Sequence, residues 1–383
     1  MSLRTFLHEW SELLRFKSLS AQERSIVFYS EDASSWKHLG PIIEELIDSY
    51  GRSVSYVTSS AIDPILSTEN IHIRPFLIGL GTARTTFFKS LQADVMVMTM
   101  PDLDTFHIKR SKHPVHYVYV NHSLVSTHMV YRLGAFDHFD SILCVGPHHI
   151  EEIRTTETLY NLKSKHLVEA GYPLLDSVLE SRSECQLSYH RVQKRILIAP
   201  SWGEGALLES CGPTIIQILL DAGYEVVVRP HVMTTNHNPQ ILSDINQNFG
   251  KMNHFTLDQT LASQGTVHDF DLMITDWSGA GLEYAFGLER PVLFVDVPKK
   301  VNNPEYQEIH ITPIEVALRR EIGLIVTPDH LTEVPEKISV LFDGPHIWRD
   351  KIKAIRSKWV YNVGKSAEIG AAHINEICEA ISR

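Results

Sequence analysis

Asp271-Leu272-Met273-Ile274-Thr275-Asp276-Trp277-Ser278-Gly279-Ala280-Gly281-Leu282-Glu283-Tyr284-Ala285 decides the fold. Leu272–Thr275 is a short apolar run, the mark of a strand buried on both faces. It leads into a turn of hydroxyls and glycines. A helix then starts, expected over Gly281–Gly287 and carrying Glu283. Hydroxyls and free N–H groups at a helix N-terminus form an anion site. A plain helix cap needs one such residue. Here Thr275, Asp276, Ser278 and Gly279 cluster, so these four and Glu283 are candidates for holding a phosphorylated ligand.

Outward from this unit the pattern repeats. Pro291–Val295 is the next expected strand. Upstream, Arg195–Ala199 is a strand, Ser210–Ala222 a helix stopped by Gly223, and Glu225–Arg229 a strand. The same alternation occupies the first half: strands at Ser25–Tyr29, Val54–Thr58, Ala93–Met98, Val115–Val120 and Ser141–Val145, with a helix at Trp36–Tyr50 stopped by Gly51. Strands alternating with helices specify parallel sheets covered on both faces. Between the halves, Ser181–Arg195 is polar (Glu184, Gln186, Arg191, Gln193, Lys194, Arg195) and reads as a linker. The expected fold is α/β, GT-B-like: two doubly wound, Rossmann-like domains facing a central cleft. They span 1–180 and 181–346. Residues 347–383 form C-terminal helices, interrupted near Asn362–Gly364, that could cross back to the first domain.

Bulk properties exclude several classes. The 383 residues are 43% hydrophobic and carry 46 acidic against 35 basic side chains, a net charge of −11. A nucleic-acid binder should show the opposite balance. Cys144, Cys185, Cys211 and Cys378 are scattered, which fits reduced thiols in a cytoplasmic protein and neither a disulfide framework nor a zinc knuckle. No secretory signal and no membrane span are visible. Ser2–Ser20 reads as a helix with Phe6, Trp10, Leu13, Leu14 and Phe16 near one face and Arg4, Arg15 and Lys17 around them. Packing on its own domain is the plain reading. A peripheral contact with the inner face of the cell membrane is the sharper one.

In open parallel sheets, ligands bind beyond the carboxyl ends of the strands. Three more strand ends are polar here. Val120-Asn121-His122-Ser123 presents His122, a candidate general base. Ala199-Pro200-Ser201-Trp202-Gly203-Glu204-Gly205 presents Ser201, Trp202 and Gly203 on a loop whose backbone can approach a phosphate. Val228-Arg229-Pro230-His231 presents Arg229 and His231, a cation and an imidazole. The glycine spacing matches neither a P-loop nor a dinucleotide fingerprint. The histidine pair His148-His149 and the trio His107, His113 and His116 fix no metal geometry. No cofactor is called for, and a divalent cation is left open.

Taken in order, these residues resemble the CDP-glycerol glycerophosphotransferase family of teichoic-acid and capsule synthesis, a GT-B family. Gly171-Tyr172-Pro173-x-x-Asp176 resembles its Gly-Tyr-Pro-x-x-Asp element, and Ile198-Ala199-Pro200-Ser201-Trp202 its Tyr-Ala-Pro-Thr-Trp strand end. Arg229-Pro230-His231 is similar to its Arg-x-His motif. Thr275-Asp276-Trp277-Ser278 is similar to its Thr-Asp-Tyr-Ser motif. Glu289-Arg290-Pro291-Val292-Leu293-Phe294 resembles its Lys-Arg-Pro-Ile-Leu-Phe strand. Gly364-Lys365-Ser366-Ala367-Glu368 resembles its Gly-Lys-Ala-Ser-Glu ending. One element departs: where the family has Trp-His-Gly-Thr, this chain has Asn121-His122-Ser123-Leu124, with no lysine following.

The resemblance implies transfer of a glycerol-phosphate or similar polyol-phosphate unit from a CDP-linked donor, with release of CMP. The acceptor would be a lipid-linked or oligosaccharide surface glycan. The first domain would bind acceptor and the second the nucleotide. His122 and His231 would be catalytic. Ser201, Trp202, Gly203, Arg229, Thr275, Asp276, Ser278, Gly279, Glu283, Lys365 and Ser366 would bind the donor. Two alternatives stand beside this reading. One is a GT-B glycosyltransferase using a nucleotide sugar, with which Ser278, Gly279 and Glu283 are compatible. The other is a non-catalytic nucleotide-binding scaffold.

Overall fold

A computed structural model of the protein describes residues 3–105, 108–184, 193–259 and 267–382. His107, Cys185, and Gln186 and Arg191 of the expected linker lie outside the described residues. The chain divides into two compact units. Unit 1 gathers Met1–His122, Tyr131–Asp176 and Trp359–Arg383, and unit 2 gathers Ser123–Val130 and Ser177–Lys358. Residues 123–130 and 177–180 therefore leave the 1–180 range read from sequence for unit 2, which also takes 347–358 of the expected C-terminal helices.

Unit 1 holds seven parallel strands: β1 (Ile26–Ser30), β2 (Val54–Thr58), β3 (Ile73–Leu77), β4 (Val95–Met98), β5 (His116–Val120), β6 (Ser141–Cys144) and β7 (His166–Glu169). Their spatial order is β3-β2-β1-β4-β5-β6-β7. Unit 2 holds six: β8 (Arg195–Ile198), β9 (Glu225–Val228), β10 (Phe255–Leu257), β11 (Leu272–Thr275), β12 (Val292–Val295) and β13 (Gly323–Val326). Their order, β10-β9-β8-β11-β12-β13, repeats the first six places of unit 1. Every pairing is parallel. Each unit is thus doubly wound, as the alternation of strands and helices required.

The order reverses once in each sheet, between β1 and β4 and between β8 and β11. At these switch points the chain leaves neighbouring strands in opposite directions and opens a crevice at their carboxyl ends. In unit 2 the register Leu272↔Ile196 to Ile274↔Ile198 brings the ends of β8 and β11 side by side. The central strands are buried along their length, in a core that includes Ile196, Ile198, Leu272, Ile274 and Leu293.

Local rules hold at several boundaries. The helix Trp36–Tyr50 ends where Gly51 turns left-handed (φ 62°), its N–H bonded to the Ile47 carbonyl while Arg52 N–H reaches that of Leu46. The expected linker is shorter than read, since Ser181–Glu184 closes the helix Pro173–Glu184. The C-terminal helices run Pro345–Trp359 and Ser366–Ser382. The N-terminal helix, Leu3–Lys17, buries Glu9, Leu13 and Phe16. Leu14, expected on the packed face, is 63% exposed, alongside Leu7 at 58% and Leu3 at 74%. Cys144, Cys211 and Cys378 are free, buried thiols.

Candidate functional site

In unit 2, Asp276 organises the switch point. Its carboxylate is buried and accepts four hydrogen bonds: from Ser201 N–H (2.7 Å), Ser201 Oγ (2.9 Å), Leu207 N–H (3.0 Å) and its neighbour Trp277 N–H (2.7 Å). Leu207 opens the helix Leu207–Asp221, whose own N-cap residue, Ala206, has no side chain to offer. Asp276 therefore caps that helix from the adjacent strand end. Thr275, fully buried, donates its hydroxyl to the Ala199 carbonyl at 2.6 Å. Ser201, Thr275 and Asp276 thus tie β8 to β11. Their polar atoms are engaged within the fold.

The turn beyond them is more open. Ser278, Gly279 and Ala280 are half-buried at the start of the helix Ala280–Leu288, and Glu283 lies in its first turn. Ser278 Oγ accepts from Ala280 N–H at 3.3 Å. Gly279 is required by space, since a Cβ there would come within 2.4 Å of Ser123 Oγ.

Trp202 stands on the β8 loop between Ser201 and Gly203, which takes a φ of 112°. His231 and His237 stack on its ring at 6.1 and 5.8 Å between centroids, nearly parallel at 30° and 16°. His231 also caps the short helix Val232–His237, its Nδ1 accepting from Met233 N–H at 3.1 Å. Arg229 is ion-paired with Asp258 at 3.0 Å. Beside Trp202 opens a pocket of about 460 Å³, also lined by Glu204, Glu209, Thr234, His237 and Asn238. Glu209 keeps one buried oxygen unpartnered, and burial raises its carboxyl above the usual range. His237 and Glu209 were not singled out from sequence, because neither sits at a strand end.

In unit 1, His122 follows β5. Its Nδ1 lies 2.9 Å from the carbonyl oxygen of Thr99, the residue after β4, and 3.1 Å from Tyr119 Oη. A carbonyl only accepts, so Nδ1 carries the hydrogen and Nε2 keeps its lone pair. Tyr131 Oη is 3.4 Å from Nε2. Burial lowers the imidazole to about 4, partly opposed by the Thr99 hydrogen bond. His122 is therefore neutral at pH 7, with its tautomer set by the backbone.

Two expected motifs meet in unit 1. Tyr172 donates its hydroxyl to the His122 carbonyl at 3.0 Å and stacks on His38. Asp176, three residues beyond Pro173, accepts from Gly364 N–H at 2.7 Å and Ser366 N–H at 3.0 Å, and from Ser366 Oγ. It caps the last helix. Gly171 has no room for a side chain, since a Cβ would lie 2.5 Å from the Tyr361 carbonyl oxygen. Ser366 is buried in this cap, whereas Lys365 is exposed. Both belong to unit 1, apart from the other expected donor-binding residues. Only position within each unit separates them; spacing in the sequence does not.

Two doubly wound parallel units with polar strand ends define an α/β protein of GT-B type. Residues 115–301 match the family model of CDP-Glycerol:Poly(glycerophosphate) glycerophosphotransferase. The resemblance read from the motifs is thereby shown. No curated protein matches the sequence. Among solved structures, the wall teichoic acid polymerase TagF, soaked with CDPG, shares the fold at a TM-score of 0.62 and 14% identity, over 99% of this chain and 96% of that one. The UDP-GlcNAc 2-epimerase of Neisseria meningitidis, bound to UDP-GlcNAc, reaches 0.62 at 12% identity, over 92% and 100%. A glycosyltransferase of Rickettsia africae reaches 0.53 at 11%, over 94% and 99%.

Proposed function

We propose that the protein transfers a glycerol-phosphate or similar polyol-phosphate unit from a CDP-linked donor to a hydroxyl of a surface-glycan acceptor. The acceptor oxygen attacks the phosphorus that bears the polyol. The bond from that phosphorus to the CMP oxygen breaks, and CMP leaves. The acceptor proton passes to His122 Nε2, the nitrogen that the Thr99 contact leaves unprotonated. Unit 2 holds the donor. Ser278, Gly279 and the open turn around Trp202 and Gly203 contact its phosphates, with His231 beside them. Ser201, Thr275 and Asp276 act by fixing that turn in place. The observation that carries this reading is the family match over residues 115–301. That span includes His122, His231 and every expected donor-binding residue except Lys365 and Ser366.

The epimerase and glycosyltransferase relatives keep a nucleotide-sugar reading in view, since a fold does not choose a substrate. A thermal-shift panel separates the two. CDP-glycerol, CDP-ribitol, CDP and CMP should stabilise the protein, by about 2.7 kcal/mol at a hundred times the dissociation constant. Stabilisation by UDP sugars alone would replace the phosphotransferase reading with the sugar-transferase one. No stabilisation by any nucleotide would sink both.

Among the described residues, no helix is long and apolar enough to cross a membrane. The solvent-facing Leu3, Leu7 and Leu14 support a peripheral contact through the N-terminal helix. Co-sedimentation with anionic vesicles should fall several-fold in Leu7→Asp. Equal sedimentation of variant and wild type would remove that contact from the proposal.

A further inference from the structure

The loop after β12 carries a cation that sequence position did not mark. Lys300 is half-buried, and its Nζ stands 4.1 Å above the Trp202 ring. The loop packs on the β8 turn, where a Cβ on Gly205 would come 3.6 Å from Pro298. The arginines nearby are neutralised, Arg229 by Asp258 and Arg319 by Asp296. Among the described residues, Lys300 has no carboxylate at ion-pair distance. Burial draws its ammonium down to about 8, with the charge of Asp276 opposing. An unpaired, partly desolvated ammonium is costly unless an anion completes it. Its position beside the Trp202 pocket and the β8–β11 switch point is where a ligand of unit 2 would lie.

We propose that Lys300 binds the diphosphate of the donor, an assignment that rests on the donor reading above. The ammonium would neutralise charge that builds on the CMP oxygen as the phosphorus bond breaks. The indole of Trp202 holds the ammonium in place through a cation–π contact. The charged and titratable groups near it are Asp276 just after β11, His231 and His237 stacked on the same indole, Lys299 alongside, and Glu204 in the pocket that Trp202 also lines.

The test is calorimetric titration of the intact chain with CDP, for wild type, Lys300→Met, Lys300→Arg and Lys299→Met. At pH 7, Lys300→Met should bind about tenfold or more weakly, Lys300→Arg within about threefold of wild type, and Lys299→Met unchanged. Wild-type affinity should fall about five- to tenfold from pH 7 to pH 9, as the free ammonium loses its proton. Lys300→Arg should lose that dependence, which separates Lys300 from its titrating neighbours. Wild-type affinity in Lys300→Met would overturn the assignment. So would equal loss in Met and Arg variants with a lowered melting temperature, the mark of a structural role. No CDP binding by wild type would overturn the donor reading itself.

Discussion

His122→Ala should lower transfer about a hundred- to ten-thousand-fold, the range for a lost general base, while CDP binding stays within about twofold of wild type. The expectation follows from the position of the ring. Thr99 holds Nδ1–H, so Nε2 is the one nitrogen able to take a proton. Tyr172 fixes the backbone of the same residue from a separate segment. The acid limb of kcat/KM should lie well below that of an ordinary histidine. Burial places the His122 value at about 4 in the free enzyme, so the neutral form persists as the pH falls through 6 and 5. Turnover in His122→Ala equal to wild type would remove the residue from the chemistry. Lost turnover together with lost CDP binding would make it structural instead. The matching linkage acts on stability. An unfolded histidine binds a proton near 6.5 and the folded one near 4, so stability should decline with falling pH inside that window.

Asp276→Ala should be the most destabilising single change in unit 2. One carboxylate serves three backbone N–H groups and a hydroxyl, all buried at the ends of β8 and β11. Removing it strands donors that water cannot reach, at a cost of about 3–5 kcal/mol. A unit of this size should then melt about 10 °C lower. Asp276→Asn keeps the shape and one accepting oxygen and should lose roughly half as much. Calorimetry of both variants checks the order. A melting temperature within about 2 °C of wild type for Asp276→Ala would show that the four bonds do not hold the turn. Donor affinity should fall with stability in both variants, because the residue acts through the loop it positions.

The strands that sequence reading located and those it passed over divide by place in the sheet. β1, β2, β4, β5, β6, β8, β9, β11 and β12 were all anticipated, and all are interior. β3, β7, β10 and β13 were not, and they are the four sheet edges. Edge strands are covered less completely, so their apolar pattern weakens. His166–Glu169 is largely solvated, and Ile73–Leu77 contains Pro75, which an edge tolerates and an interior strand does not. The N-terminal helix misled in the same way. Its packed stripe is centred on a buried glutamate, Glu9, at 4% exposure, which no hydrophobic periodicity would select.

By itself, then, the order of residues determined the α/β class, the restart of the winding, and which strand ends are polar. Those properties follow from local periodicity, turn chemistry and burial, all of which a linear pattern carries. The tertiary structure decided which polar groups remain free. Thr275, Asp276, Ser201 and Ser366 look like ligand contacts in the sequence, but strand pairing and helix capping engage them within the fold. Arg229 met Asp258, while Lys300, unremarkable in the sequence, met the Trp202 ring and, among the described residues, no carboxylate at ion-pair distance. A hydrogen bond or ion pair depends on what another part of the chain brings within about 3 Å, and spacing along one strand does not encode that distance.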